Sequence, residues 1–140
     1  MSPELNAIKN SLAQCRTIAV VGLSPKHHRD SYRVSQYMQA QGYRIIPVNP
    51  MAKEVLGERA YASLSEAAAH ADIDMVNCFR NAQDIPPIAD EAIAVGARGL
   101  WLQIGITHAQ AASRAVQAGL WVVQDRCLMV EHARWLKQQG

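Results

Sequence analysis

The sequence predicts one α/β domain: a doubly wound, mostly parallel sheet of five strands with helices on both faces. Three observations carry this. Short apolar runs rich in β-branched residues alternate along the chain with amphipathic stretches of helical period. Glycines stand where those helical stretches stop, at Gly42, Gly96 and Gly119. Finally, 140 residues is the size of a single domain, able to bury roughly two thirds of its unfolded surface around one core.

Residues 17–22, Thr-Ile-Ala-Val-Val-Gly, form a continuous apolar run ended by glycine, the pattern of a strand buried on both faces. Residues 32–41 bring Val34, Tyr37, Met38 and Ala40 close to helical spacing, and Gly42 stops that helix. A second strand over residues 43–48 is closed by Pro47 and Pro50, and residues 55–61 read as a turn with a short extended piece. Ser63 and Glu66 have the spacing of a capping box, opening a short helix that reaches His70. Residues 74–79 are a third strand, followed by a helix over 82–95 entered through Pro86 and Pro87. A fourth strand covers 99–104, and Thr107 caps a helix running to Gln117. Residues 120–123 are the fifth strand and 128–138 the last helix. No element is assigned ahead of Thr17. Right-handed crossovers between such strands give an expected order of 3-2-1-4-5. The ligand then belongs beyond the carboxyl ends of the strands, where the winding reverses between the first and fourth.

Composition narrows the function. Hydrophobic residues make up 49% and charged residues 19%, which is globular rather than disordered. Fourteen Lys and Arg against twelve Asp and Glu leave a net charge of +2, too balanced for a dedicated nucleic-acid binder. No apolar run approaches the roughly 18 residues of a membrane span, and the first residues lack a basic segment followed by an apolar one, so no secretion signal is expected. Cys15, Cys78 and Cys127 are odd in number, widely spaced and without a CxxC pair, which argues against a disulfide framework or a structural zinc site. A small cytoplasmic domain without repeats or linkers is expected.

The fold directs attention to the loops after the strands. The first reads Gly22-Leu-Ser-Pro-Lys-His-His-Arg-Asp-Ser-Tyr-Arg33. Glycine there lets the backbone turn sharply and approach a ligand. Ser24, Ser31, Lys26, Arg29, Arg33 and the following helix N-terminus make a phosphate site. The competing reading is a solvated loop that is merely basic; position after the first strand favours phosphate. The dinucleotide fingerprint is absent, because Ser24 and His27 occupy the places of its second and third glycines. The second strand is followed by Asn49-Pro-Met-Ala-Lys53, with no acid for ribose hydroxyls until Glu54, and no P-loop is present. A phosphorylated adenosine ligand other than NAD fits these loops better, and Lys53 could meet an extra phosphate.

Val21-Gly-Leu-Ser-Pro-Lys26, Arg29-Asp-Ser-Tyr-Arg-Val34, Gly42-Tyr43, Pro47-Val-Asn-Pro50, Leu100-Trp-Leu-Gln-Ile-Gly105 and Asp125-Arg-Cys127 occur in the order seen in a known family. On these motifs the chain resembles the stand-alone, Rossmann-like coenzyme A-binding domain family. It is similar to the N-terminal domain of succinyl-CoA synthetase α subunits and of ADP-forming acyl-CoA synthetases. The resemblance covers residues 10–138. It implies that coenzyme A lies with its pyrophosphate among Gly22, Leu23, Ser24, Lys26, Arg29, Ser31 and Arg33. Val48, Asn49 and Pro50 would line adenine and ribose, and Lys53 would reach the 3′-phosphate. Phe79 and Arg80 would border the cleft on the pantetheine or adenine side, and Gln103, Ile104 and Gly105 would approach the pantetheine arm. Asp30 departs from the family, which often has proline there; an acid among phosphate cations either lowers affinity or holds Arg29 or Arg33 in place.

No paired carboxylates, nucleophile elbow or triad order stands out. The five histidines show no metal-ligand spacing and read as surface or half-buried, with His27 and His28 in the phosphate loop. Cys127 sits on the ligand side, where a helix N-terminus and Arg126 would activate a thiol; packing of a small buried residue is the favoured reading. The phosphohistidine and ATP-grasp parts of the larger synthetases lie in other domains, so the expectation is a non-catalytic module that senses, stores or presents coenzyme A or acyl-CoA. The alternatives are a subunit of a split acyl-CoA synthetase or transferase acting with a separate ATP-grasp protein, and an NAD(H)-responsive module. A homodimer using an exposed face of the last helix at Trp135 is a further possibility.

Overall fold

The computed structural model describes residues 2–139. Its centre is a parallel sheet of five strands: β1 (Thr17–Val21), β2 (Arg44–Val48), β5 (Met75–Cys78), β6 (Gly99–Leu102) and β7 (Trp121–Val123). They lie in the order β2-β1-β5-β6-β7. A single parallel bridge between Val48 and Tyr61 adds one further extended residue outside β2, held by Asn49 N–H to Tyr61 O at 2.8 Å and Tyr61 N–H to Pro47 O at 3.0 Å. With that segment counted third, the order is the expected 3-2-1-4-5, continued outward by β7. The strand at residues 74–79, third in the sequence reading, therefore takes the fourth place, and the winding reverses between β1 and β5.

Side chains alternate across this sheet, so each face has its own core. On one face Ala19, Val76, Cys78, Leu100 and Leu102 pack beneath α3 (Leu64–Ala68), α4 (Ile85–Ala94) and α5 (Ala109–Gln117). On the other, Ile18, Val20, Ile45, Met75, Trp101 and Val123 meet α1 (Pro3–Gln14), α2 (Asp30–Ala40) and α6 (Leu128–Gln139). The alanines of α4 and α5 let those helices sit close to the sheet and to each other; Ala89, Ala92, Ala111 and Ala115 are all buried. One polar pair interrupts the second core. Gln103 Nε2 donates to Asn77 Oδ1 at 2.9 Å, both side chains buried at the ligand end of the sheet, which satisfies groups that would otherwise be costly there.

Three elements differ from the sequence expectation. Helix α1 precedes the first element that the sequence reading assigns, although its signals are local: Ser2 Oγ accepts from Leu5 N–H at 3.1 Å, Pro3 opens the helix, and Ala7, Ile8 and Leu12 form its buried stripe. The cap of α5 is His108, whose Nδ1 accepts from Ala111 N–H, rather than Thr107; a histidine can imitate an N-cap acceptor when its ring nitrogen points back at the first turn. Residues 54–59 form a two-strand hairpin, β3 (Glu54–Val55) and β4 (Glu58–Arg59). Its turn puts both Leu56 (φ 56°) and Gly57 (φ 75°) in the left-handed region, the geometry that matches strand twist. Leucine is an uncommon choice there. Its side chain packs on the core, and its carbonyl accepts from Gln39 Nε2.

Candidate functional site

The carboxyl ends of all five strands open on one edge of the sheet, and the loop after β1 forms part of that edge. Gly22 turns at φ +88°, and a Cβ there would lie 2.7 Å from Phe79 O and 3.1 Å from Arg80 Cδ. Only glycine brings the first and third loops this close. The rest of the loop is folded back onto α2. Ser31 Oγ, buried in the first turn, accepts from Ser24 N–H at 3.0 Å, and Ser24 Oγ accepts from Lys26 N–H at 3.1 Å. Asn49, just after β2, clamps the same loop by donating from Nδ2 to Leu23 O at 2.9 Å, while its Oδ1 accepts from Met51 N–H. Ser31 and Asn49 thus act on the loop's shape.

Three adjoining clefts result, with Phe79 lining all of them. The central one, about 400 Å³, is lined by Gly22, Ser24, Lys26, Arg29, Asp30 and Ser31. Among the described residues neither Lys26 nor Arg29 pairs with a carboxylate, so both cations face solvent, open to an anion. On the β2 side, a cleft of about 450 Å³ runs along Val48, Asn49 and Pro50 to Ser63, Asp84 and Glu91. On the β6 side, one of about 420 Å³ is bounded by Arg33, Gln103, Ile104, Ile106, Cys127, Met129 and Val130. Arg80 borders both flanking clefts and reaches Asp84 at 3.5 Å.

The structure therefore gathers thirteen of the sixteen sequence-derived site residues around one continuous opening. Leu23 is fully buried and meets the site only through its carbonyl. Lys53 stands beyond the cleft, next to the hairpin, and Gly105 is occupied in joining two loops, donating to Asp125 Oδ1 at 2.6 Å. Asp30 pairs with Arg33, which also donates to His28 O at 2.8 Å. The lining residues that sequence reasoning missed include Ser63, Asp84, Ile88 and Glu91 on one side and Ile106, Met129 and Val130 on the other. Asp84 and Ile106 lie in the loops after β5 and β6, to which the fold directs attention; Ser63, Ile88, Glu91, Met129 and Val130 belong to helices or their caps that meet the cleft only once the sheet is assembled, so no local motif announces them.

A model of the family described as CoA binding domain matches residues 16–133 of this chain. The chain belongs to the CoA-binding domain family. Another protein similar to it is the uncharacterized protein YneT of Bacillus subtilis (strain 168), 40% identical over 132 residues, which are 94% of this chain and 96% of that one. A hypothetical protein from Pyrococcus horikoshii OT3 has a solved structure similar at TM-score 0.88 and 35% identity, covering 97% of this chain and 93% of its own. The apo form of a dinucleotide-forming acetyl-coenzyme A synthetase 1 from Ca. Korarchaeum cryptofilum shares the fold, at TM-score 0.70 and 19% identity. It matches 81% of this chain but only 27% of the longer one. The CoA-binding domain chain is thus a Rossmann-like α/β protein, and no helix among its described residues is long and apolar enough to cross a membrane.

Its cysteines divide by environment. Burial pushes the thiols of Cys15 and Cys78 up to about 12, which keeps both protonated and inert. For Cys15 the nearby Asp74 carboxylate adds to the effect. Cys127 alone is partly accessible, at the wall of the β6-side cleft. His132, expected at the surface or half-buried, is instead fully buried between α2 and α6, with Nδ1 2.9 Å from Tyr37 Oη and its pKa lowered by desolvation.

Proposed function

We propose that the chain binds coenzyme A or an acyl-CoA across the three adjoining clefts. It serves as a small cytoplasmic module that senses, carries or presents this ligand and performs no catalysis alone. The observation that carries the reading is the continuous opening around Gly22 and Phe79 in a chain of the CoA-binding domain family. The residues fit the ligand. Gly22, without a Cβ, lets the loop after β1 close against Phe79 O and Arg80 Cδ at the floor of the opening, and Lys26 and Arg29 offer unpaired cations to a pyrophosphate. Val48, Asn49 and Pro50 offer an apolar and amide wall for adenosine, and Gln103, Ile104, Arg33 and Arg80 flank the pantetheine arm. Lys53, outside the cleft, would act only on a 3′-phosphate projecting from it. Asn49 stands where an NAD site needs a carboxylate, so NAD is disfavoured.

Calorimetric titration with coenzyme A, dephospho-coenzyme A and NAD in parallel tests the reading. Micromolar binding of coenzyme A with NAD silent is the expected result, and absence of coenzyme A binding by the folded chain overturns it. A second reading, a subunit of a split acyl-CoA synthetase, draws on the longer Korarchaeum chain in which this fold is about a quarter of the whole. Co-purification with a separate ATP-grasp protein would favour that reading.

A further inference from the structure

The three clefts are chemically unequal, and the difference bears on what the thiol end of the ligand carries. The central cleft holds the cations. The β2-side cleft is rich in polar groups: Asn49, Ser63, Asp84 and Glu91. The β6-side cleft ends on Ile104, Ile106, Met129 and Val130, with Cys127 beside them. Its charged residues lie toward the phosphate end: Asp30 belongs also to the central cleft, Arg80 also to the β2-side cleft, and Arg33 is held by Asp30 and His28 O.

Ile104 is 68% exposed and Val130 is 44% exposed. Two large aliphatic side chains facing one opening leave apolar surface in water that a ligand methylene would cover. Beyond them the wall becomes charged. Ile104, Cys127 and Val130 also border a depression of about 460 Å³ lined by Glu4, Gln124, Asp125, Arg126, Glu131 and Arg134. There three carboxylates face two guanidiniums, and both guanidiniums are already engaged: Arg126 by Glu4 and Glu131, Arg134 by Glu131. Asp125 has no cationic partner among the described residues. An acyl chain ending in a carboxylate would meet uncompensated negative charge on leaving the apolar strip.

We propose that the end of the cleft formed by Ile104, Ile106, Met129 and Val130 receives the acyl group of a short, apolar acyl thioester, with Ile104 as the residue that sets this specificity. The proposal rests on the coenzyme A reading above and adds the chemical class of the acyl group. Each methylene fully buried in such a strip raises affinity by roughly fourfold, and the strip is half open, so butyryl-CoA is expected to bind about tenfold tighter than coenzyme A.

The test is competitive titration of the full chain with coenzyme A, butyryl-CoA and succinyl-CoA, repeated on Ile104→Asp. The expected order is butyryl-CoA tightest, coenzyme A next and succinyl-CoA weakest. In Ile104→Asp the ratio of butyryl-CoA to coenzyme A affinity should fall to about one. That ratio is insensitive to a general loss of folding or of nucleotide binding, and Val130→Asp should move it the same way. Equal affinity for butyryl-CoA and coenzyme A in the wild-type chain overturns the acyl inference and leaves the coenzyme A reading standing, as does succinyl-CoA binding as tightly as butyryl-CoA. If none of the three binds to folded protein, the coenzyme A reading itself fails, and the acyl inference with it.

Discussion

Gly22 and Phe79 approach so closely that one added carbon on the glycine would stand 2.7 Å from the Phe79 carbonyl oxygen. This contact joins the loop after β1 to the loop after β5, across the point where the winding of the sheet reverses. Gly22→Ala meets two obstacles there, a positive φ and a backbone atom that cannot move aside. The conformational part alone should cost about 1–3 kcal/mol. The expected result is a lower urea midpoint with unchanged slope, together with loss of coenzyme A binding. Wild-type stability in this variant would mean that the two loops are free to separate.

Asn49→Ala removes the donor to Leu23 O and the acceptor for Met51 N–H. Both bonds lie in loops, so global stability should fall by only about 0.5–1.5 kcal/mol. Coenzyme A affinity should drop more than stability does, since the loop that Asn49 clamps carries the phosphate-facing backbone. A variant that loses stability but binds normally would count against that role.

Asp30 places a carboxylate beside the cations of the central cleft, with its side chain 78% exposed and paired to Arg33. Asp30→Asn should tighten coenzyme A binding by about fivefold at low salt, the size of roughly 1 kcal/mol between unit charges about 4 Å apart in water. The gain should shrink at high salt, and stability should change by less than about 1 kcal/mol because the pair is exposed. Weaker binding in place of tighter would show that Asp30 serves to hold Arg33 in position.

His132 makes stability depend on pH. Burial lowers its pKa below the ordinary 6.5, so the unfolded chain takes up a proton before the folded one does. Its contribution is therefore fully present above pH 6.5, and it is lost as pH falls through the lowered folded value. The Tm should decline on acidification from neutral pH, and His132→Gln should flatten that decline. An equal slope in the variant would place the titrating group elsewhere.

Of the three thiols, only Cys127 is accessible to a reagent. One equivalent of a thiol-specific label should react with the native chain near neutral pH, and three in denaturant. Bound coenzyme A should slow the native reaction, since Cys127 lines the β6-side cleft. Fast labelling of two or three native thiols would contradict the packing of Cys15 and Cys78.

Much of the fold could be read locally. From Ile18 to Val21 the first strand is apolar at every inward and outward position, and a strand covered on both faces leaves no polar phase to confuse with a helix. Ser63 caps α3 as its spacing predicts, accepting from Glu66 N–H. Helix α1 is carried by local signals too, in Ser2-Pro3-Glu4 and its apolar stripe. The capping of α5 by His108 was not legible, because histidine is a poor statistical N-cap and acts as one only through its ring orientation.

The strand–helix alternation, the glycine at the end of β1 and the cationic loop that follows can all be read along the chain. These are properties of neighbouring residues, set by side-chain period and backbone freedom. Packing of the elements against one another turns Leu23 inward, sets Lys53 and Gly105 aside, and brings Glu91, Met129 and Val130 to the cleft walls. It also buried His132 against Tyr37, a residue 95 positions away. The physical reason is that a cleft at a winding reversal is assembled from the ends of elements far apart in sequence, and a residue faces it only when the packing of both sheet faces has fixed where each helix starts.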